Sequence, residues 1–479
     1  MAQLPGLQPM RLFGAVRQSF IFGFSEFFMK SLASRPLWQR FAVFLLPLML
    51  SNVLQSLSGT VNNVYIGQML GTDALAAVSV FFPILIFLIS FVIGLASGSA
   101  ILIGQAWGAK NIDKIKQITG TSLTVGFLMG CFVAVFGGLF ARELMLLLNA
   151  PAEIVEMATA NGRIALIAMP VFFVFLLMTS MLRGVGDTIT PLLGLVLSII
   201  VSLVVTPALI SGWYGLPAFG IIGGALANIF GFVAVLGFLV IMLRLRKSAM
   251  AIDMALLRNL QVDFEVLRLV VKLGIPAGVS MVVSSMSAIV IVGIVNGFGA
   301  NATAAYGAVN QVMSYVQFPA MSVGIAASIF AAQAIGARRM DDVEKVTRTA
   351  LIMNTIVTGA LVLIAYLFSQ DLVKVFITDP DVVDVTETLL HIVLWANLLF
   401  GYGSIFSAVM RASGDVWIPM GLSLAAIALV EVPAALILSQ VWGLEGVWVG
   451  YCLSFAALMT FQGIYYYGFW QKKKIVALI

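Results

Sequence analysis

One carboxylate stands alone within the apolar part of this sequence. Glu431 is the only one of 21 acidic residues that falls well inside a long apolar segment. It follows Pro419 by 12 residues, which is about 18 Å along a helix and near the middle of a bilayer. A carboxylate at that depth is costly unless it is protonated, paired or hydrated, so Glu431 is a candidate for binding a coupling ion or a cation. A structural alternative is a protonated or hydrogen-bonded Glu431 that joins helices.

Uncharged polar residues in other apolar segments form a second group of candidates. Four of them are spaced four, four and three residues apart, on one face of the first predicted helix: Asn52, Ser56, Thr60 and Asn63. Asn62 lies beside this face, and Asn310 and Gln311 lie in the eighth apolar segment. Such groups line a wet cavity in some membrane proteins and bond neighbouring helices in others. Both interpretations stay open here.

Short motifs recur in this chain at one constant displacement, the distance in sequence from Arg183 to Arg411. Three pairs show it: Arg183–Asp187 with Pro191 and Arg411–Asp415 with Pro419; Gln105–Ala109 and Gln333–Ala337; and Leu70-Gly71 with Ala76-Ala77 and Phe298-Gly299 with Ala304-Ala305. A fixed displacement in so apolar a chain predicts two structurally equivalent membrane halves, which is the build of a transporter.

The arginine-to-proline motif predicts a short rigid turn between two helices. Its arginine suits the negative end of the first helix, its glycine permits a tight reversal, and its aspartate can cap the second helix, whose first turn tolerates proline. We therefore predict structural roles, in preference to substrate contact, for Arg183, Gly186, Asp187, Pro191, Arg411, Gly414, Asp415 and Pro419. Gln105 and Gln333 are assigned helix-end roles.

The composition is that of an all-α membrane protein. Hydrophobic residues make up 61% of the chain and charged residues only 10%, far below the quarter that is usual in soluble proteins. Each of twelve segments is long enough to cross a bilayer: Phe41–Met69, Leu75–Ala106, Ile118–Phe140, Ile164–Leu182, Thr190–Ile210, Ile221–Leu243, Leu269–Gly297, Ala302–Ala334, Thr349–Phe368, Leu389–Met410, Ile418–Leu438 and Val447–Trp470. The two cysteines lie in apolar segments, so neither a disulfide framework nor a metal site is expected.

The charges predict how these segments are oriented. With both termini in the cytoplasm, the cytoplasmic parts hold all of the 26 Lys and Arg residues except Arg142, Arg163 and Lys374, as the positive-inside rule requires. Six spans per half then relate the halves by a pseudo-twofold axis along the membrane normal, with a ligand passage expected between them. The predicted division is a cytoplasmic N-terminal segment 1–40, a lobe 41–243, a cytoplasmic linker 244–268, a lobe 269–470 and a cytoplasmic tail 471–479. Two interpretations of the first segment stay open: it lies along the membrane interface, or it is a disordered tail.

The ordered set of motifs resembles the MATE (multidrug and toxic compound extrusion) family, nearer its bacterial DinF-like branch. The resemblance covers about residues 40–470 and rests on Pro47, Val61–Gly67, Leu70-Gly71 with Ala76-Ala77, Gly104-Gln105 with Gly108-Ala109, and Arg183–Thr188 with Pro191. It implies two six-helix lobes in a V-shaped arrangement. It also implies export of organic, often cationic compounds against inward flow of H⁺ or Na⁺.

This chain departs from the family pattern at the expected coupling carboxylates. DinF-like members usually have an aspartate where Asn62 stands, and often a second one where Thr206 precedes Pro207. The other family pattern places acids in the seventh and tenth spans, and neither span contains one here. The coupling mechanism therefore does not carry over directly, and Thr206 joins the cavity candidates by position.

Several functions remain to be separated. The sequence favours a secondary-active exporter of small amphipathic cations, a monomer in the cell membrane that uses no cofactor apart from H⁺ or Na⁺ as the coupling ion. The alternative is a flippase or exporter of a lipid-linked or other amphipathic metabolite. A membrane-embedded enzyme would need more catalytic groups at membrane depth than one acid. An ATP-driven pump would need a Walker-type loop, and nucleic acid is not expected as a partner.

Overall fold

The computed structural model describes residues 35–215, 217–246, 248–251, 253, 256, 260–375 and 380–479. These residues form sixteen α-helices, numbered here in chain order, and two 3-10 turns at Trp213–Gly215 and Trp470–Lys472. The first lobe contains α1 Leu37–Leu70, α2 Thr72–Gly108, α3 Ile112–Leu139, α4 Ala141–Leu147, α5 Val155–Ile167, α6 Met169–Gly184, α7 Ile189–Ser211 and α8 Ile221–Leu245. The second contains α9 Phe264–Asn296, α10 Ala300–Gly336, α11 Met340–Leu367, α12 Ser369–Lys374, α13 Pro380–Val393, α14 Ala396–Ala412, α15 Trp417–Trp442 and α16 Leu444–Gly468.

The helices account for the twelve predicted membrane spans. Ten are long and apolar enough to cross a bilayer singly, and two bent pairs bring the number to twelve when each pair is counted as one span. The bent pairs differ from the sequence prediction of continuous helices over Ile164–Leu182 and Leu389–Met410. The α5–α6 pair is bent by 49° and the α13–α14 pair by 41°. At the first bend, Pro170 lies in the first turn of α6, where its missing N–H cannot continue the hydrogen bonds of α5.

Backbone geometry repeats between the two lobes. The short helices α4 and α12 begin at Ala141 and Ser369, which are separated by the same displacement as the repeated motifs. Gly71 and Gly299 have φ of +88° and +98°, a left-handed region that favours glycine and that lets the chain reverse between two long helices. The displacement is slightly smaller for the last helix of each lobe, which begins at Ile221 in the first and at Leu444 in the second.

The lobes contact each other at one end of the bundle. We call it the basic end, because Lys110, Lys114, Arg338 and Arg339 lie where α2 and α10 finish. At this end α2 packs closely against α9, since a Cβ added at Gly98 would lie 2.7 Å from the Val270 carbonyl oxygen. Towards the opposite end, α1 has no buried residue from 52 to 65. In the described parts of the chain, the two lobes are therefore packed together near the basic end, and α1 is less buried towards the opposite end.

Parts of the predicted domain organisation fall outside the described residues. The proposed interfacial segment lies there as far as residue 34, and so do seven residues of the predicted linker: 247, 252, 254, 255 and 257–259. In the described part of the linker, Lys116 Nζ lies 2.6 Å from Asp253 Oδ2 and ties the linker to α3.

Candidate functional site

Glu431 ends an irregular turn in the middle of α15. Residues Ala426–Glu431 form a π-helical turn, and Pro433 follows two residues later. Proline has no N–H for the helix ladder, which weakens regular α-helical bonding at this point. Single π-turns within α-helices often occur at functional sites. The local sequence thus places the carboxyl group at a break in the regular helix.

The Glu431 carboxyl group joins three helices of the second lobe. Ser287 Oγ of α9 donates to Oε1 at 2.6 Å, and Ser454 Oγ of α16 donates to Oε2 at 2.9 Å. Only 7% of the Glu431 surface is exposed. Each carboxyl oxygen thus has a hydrogen-bond partner, as a buried polar group requires. This is the geometry expected of the structural alternative, but the same carboxyl group also faces a cavity.

That cavity has a volume of about 420 Å³ and lies inside the second lobe. Its walls come from α9, α10, α14, α15 and α16, and the volume is within the range of small-molecule sites. Hydroxyl groups dominate the polar part of the wall, which includes Ser280, Ser284, Ser404, Ser407, Ser423 and Ser454. The sequence led us to expect a passage between the lobes, whereas this cavity lies within one of them.

Aromatic rings form part of the wall of the cavity that the Glu431 carboxyl group faces. Phe400, Tyr451 and Phe455 line the same cavity, and the rings of Phe400 and Phe455 are 5.2 Å apart. Behind them, the hydroxyl groups of Tyr451 and Tyr306 are 3.1 Å apart, which fixes the position of the Tyr451 ring. A carboxylate together with aromatic faces is a combination that attracts organic cations.

Arg411 lines the same cavity. It lies in the last turn of α14, towards the basic end, and no acidic residue in the described parts of the chain forms an ion pair with it. The nearby Asp415 instead accepts a hydrogen bond from Lys473 Nζ at 2.9 Å. The cavity therefore contains a carboxylate and, closer to the basic end, a guanidinium group without a carboxylate partner.

The two copies of the turn motif differ in their hydrogen bonds. Asp187 accepts the backbone N–H of Thr190 at 2.9 Å, as a residue that caps α7 would. Asp415 makes no such cap: the helix after it starts with no side-chain cap, and its carboxylate accepts from Tyr465 and Lys473. Gly186 and Gly414 have φ of +94° and +91°, so both turns use the conformational freedom of glycine.

The other cavity candidates are spread over both lobes. Asn310 lines the cavity, whereas Gln311, the next residue of α10, is exposed. Asn52 donates to Ser322 Oγ of the other lobe at 3.0 Å. The rest lie in the first lobe: Thr60 and Asn63 are exposed, Thr206 is buried, and the buried Oδ1 of Asn62 has no hydrogen-bond partner among the described residues.

The residues nearest to Glu431 could not be found from the sequence. Ser287 and Ser454 are 144 and 23 residues away in the chain, and serine is common in apolar helices. Their only signal is that they are polar and lie inside predicted spans. Gln105 and Gln333, to which we assigned helix-end roles, each donate a hydrogen bond to the end of a helix in the opposite lobe.

Comparison with known proteins gives one matching family and several relatives that match over most of their length. The MatE family model matches residues 47–208 and 276–437, one copy in each lobe. The chain is 44% identical over 449 residues to the "Probable multidrug resistance protein YoeA" of Bacillus subtilis, covering 93% of this chain and 97% of that protein. It is 24% identical to the "Multidrug export protein MepA" of Staphylococcus aureus, covering 86% and 89% of the two chains.

Solved structures agree with this fold. One described as "Outward-facing conformation of a multidrug resistance MATE family transporter of the MOP superfamily" has a TM-score of 0.83 at 21% identity, and 91% of this chain and 97% of that chain are covered. A MOP superfamily transporter from Pyrococcus furiosus has a TM-score of 0.82 at 20% identity, with 92% and 98% covered. At such identities the agreement concerns the fold alone.

Proposed function

The chain belongs to the MatE family, and from this membership and the cavity at Glu431 we propose that it exports small organic cations by secondary-active antiport. Family membership makes it a multi-pass membrane transporter and not an enzyme. Its relatives that are named for multidrug resistance or export support a role in multidrug export. The cationic character of the substrate and the coupling to H⁺ or Na⁺ are our inference from the site.

The observation that carries this proposal is the Glu431 carboxyl group on the wall of a drug-sized cavity. Aromatic rings line the same cavity, and two serine hydroxyl groups hold the carboxyl group in place. An organic cation and a coupling ion would both be drawn to the same negative charge, and their competition couples the two flows. Entry of H⁺ or Na⁺ from outside displaces the drug there, and departure of that ion on the cytoplasmic side frees the site for the next drug molecule.

Alternating access between the two lobes would move this site from one side of the membrane to the other. We propose that the basic end faces the cytoplasm, on the charge distribution described above. The V-shaped arrangement that the family resemblance implies would then be open to the outside of the cell. In this proposal the lobes 41–243 and 269–470 move as units of a monomer in the cell membrane, with both termini inside.

Transport into everted membrane vesicles tests the proposal. A fluorescent organic cation such as ethidium is supplied outside, and either a proton gradient or a Na⁺ gradient is imposed. Wild type should accumulate the dye under one of the two gradients, and Glu431→Gln should lose that gradient-driven uptake. Glu445→Gln is a matched control, because Glu445 is an exposed acid in the first turn of α16, and it should transport like wild type.

Two outcomes would contradict the proposal. If either gradient drives Glu431→Gln as well as wild type, Glu431 only joins helices. Dye movement that is always downhill, whatever gradient is imposed, would indicate a channel in place of an antiporter.

Arg411 favours a second candidate function, export of an amphipathic metabolite that carries an anionic group. Its guanidinium group lines the cavity that contains Glu431 and would bind a carboxylate or phosphate. A panel of cationic, zwitterionic and anionic compounds in the same vesicles separates the candidates. Preference for the simple cation supports the first proposal, and preference for the anionic compound supports the second.

A further inference from the structure

Two equivalent hydrogen bonds connect the lobes at the basic end. The first lobe provides the donor in one bond, and the second lobe provides it in the other. Gln105 Nε2 of the first lobe donates to the Ala412 carbonyl oxygen of the second at 2.8 Å. Gln333 Nε2 of the second lobe donates to the Gly184 carbonyl oxygen of the first at 3.0 Å. Gln333 is the repeat counterpart of Gln105, and Ala412 is that of Gly184, so the two bonds are equivalent under the repeat.

The acceptors explain why glutamine is needed at these positions. Ala412 ends α14 and Gly184 ends α6, and the last carbonyl groups of a helix have no partner within it. Each glutamine therefore supplies the donor that a helix end of the other lobe lacks. If the lobes separated, both carbonyl groups would need water or another partner.

The backbones also meet at this point. A Cβ atom added at Gly336 would overlap the Gln105 carbonyl oxygen, and one added at Gly108 would overlap that of Gln333. Ala106 and Ala332, in the same last turns of α2 and α10, have no exposed surface. The two glutamines thus lie in a closely packed seam with no room for a larger side chain at either glycine.

The segment 473–479 makes the two halves of this seam unequal. The backbone N–H of Leu478 donates to Gln105 Oε1 at 2.8 Å, and its side chain lies against Gly414 in the second lobe. Ile475, Ala477 and Ile479 pack against the buried hydrophobic core that includes Ala106 and Ala332. In the described parts of the chain, Gln333 Oε1 receives no such bond, so only Gln105 uses both ends of its amide.

We propose that Gln105 and Gln333 are paired positioning residues that hold the cytoplasmic side closed, and that segment 473–479 stabilises this state through Gln105. The inference rests on the proposed alternating access. A buried amide hydrogen bond changes an equilibrium by only about two- to twelvefold. Bonds of that strength favour the closed state and still break in every transport cycle.

Accessibility of a single cysteine measures this equilibrium directly. Ser322 has no exposed surface and accepts the hydrogen bond from Asn52 across the lobe boundary. Ser322→Cys is introduced with Cys131→Ala and Cys452→Ala, the two native cysteines being removed. Everted vesicles are treated with a membrane-impermeant maleimide, and the initial rate of modification is recorded without substrate.

The expected rates follow from the number of bonds that each variant loses. Gln333→Met should raise the rate about two- to twelvefold, and Gln105→Met by about the product of two such factors. Removal of residues 477–479 should raise it in wild type and add less in the Gln105→Met background, because both changes remove the same bond. The matched control is Gln462→Met, since Gln462 is a buried glutamine that donates to Pro419 O within its own lobe.

A backbone variant gives an independent test of the seam. Gly336→Ala should raise the modification rate because its Cβ cannot fit while the seam is closed, and Gly421→Ala should not, because nothing lies within 4 Å of its position. Equal rates in Gln105→Met, Gln333→Met and Gln462→Met would overturn the proposal. If the wild-type modification rate changes with neither substrate nor ion gradients, the proposed alternating access is wrong. That result is distinguishable from a failure of the glutamine proposal.

Discussion

Removing the charge of Glu431 should separate cation binding from a purely structural role. Glu431→Gln changes the volume of the side chain very little. One serine hydroxyl group can still donate to the amide oxygen, and the other can accept a hydrogen bond from the amide nitrogen. A monovalent cation about 4 Å from a carboxylate gains roughly 4 kcal/mol at an effective dielectric constant near 20. Water in the cavity and desolvation of the cation reduce this to about 2 kcal/mol at the lower limit. The affinity for a cation should therefore fall by roughly 30- to 1000-fold.

The assay compares two ligands of the same shape. Dissociation constants for a quaternary ammonium compound and for its uncharged carbon analogue are measured on purified wild type, Glu431→Gln and the control Glu445→Gln. Only the charged compound should lose affinity, and only in Glu431→Gln. Equal losses for both compounds would mean that the variant distorts the cavity, and unchanged affinity for the cation would remove Glu431 from the binding site. Either result refutes our interpretation of this cavity.

Three further changes test other parts of the structure. Ser287→Ala removes the donor to Glu431 Oε1 and should lower the free energy of unfolding by about 1.5 to 3 kcal/mol, measured as a lower midpoint of thermal unfolding in detergent; an unchanged midpoint would contradict the bond. Arg411→Gln should leave the affinity for a simple cation within about twofold and weaken binding of a zwitterion by about tenfold or more, measured by equilibrium binding; equal effects on both ligands would exclude an anion site. At Asp253, the hydrogen bond from Lys116 lowers the pKa of the carboxyl group below its ordinary 3.8. A carboxyl group whose pKa is lower in the folded state than in the unfolded state stabilises the fold at pH values above its unfolded-state pKa. This stabilisation is lost as the pH falls through its folded-state pKa. Asp253→Asn should thus be less stable than wild type at neutral pH and equal to it well below pH 3.8, and a difference that persists in acid would contradict this pairing.

Much of the fold was predictable because each membrane span is decided locally. The cost of placing a segment in a bilayer depends mainly on its own side chains. The two bends were missed for the same reason, since a segment interrupted by Pro170 is as apolar as a straight one. The constant displacement between the repeated motifs predicted the two lobes, because similar sequences at equal spacing fold into equivalent units.

The site was predictable only in part. Glu431 could be selected by its depth alone, since a lone acid in an apolar helix is rare. Its serine partners, and the aromatic rings that line the same cavity, depend on how α9, α10, α14 and α16 are rotated about their axes. No spacing within a single helix contains that information. For the same reason, the polar face of α1 suggested a cavity, although the cavity found at Glu431 is in the other lobe.

The sequence by itself determined the membrane class, the twelve spans, the duplication and the one deep carboxylate. These are properties of composition and order along the chain, and they are additive over short segments. Only the tertiary structure decided that Glu431 meets Ser287 and Ser454 at a cavity, and that Gln105 and Gln333 bond to the opposite lobe. Such contacts join residues far apart in the chain, and they exist because helix packing brings particular faces of the helices together.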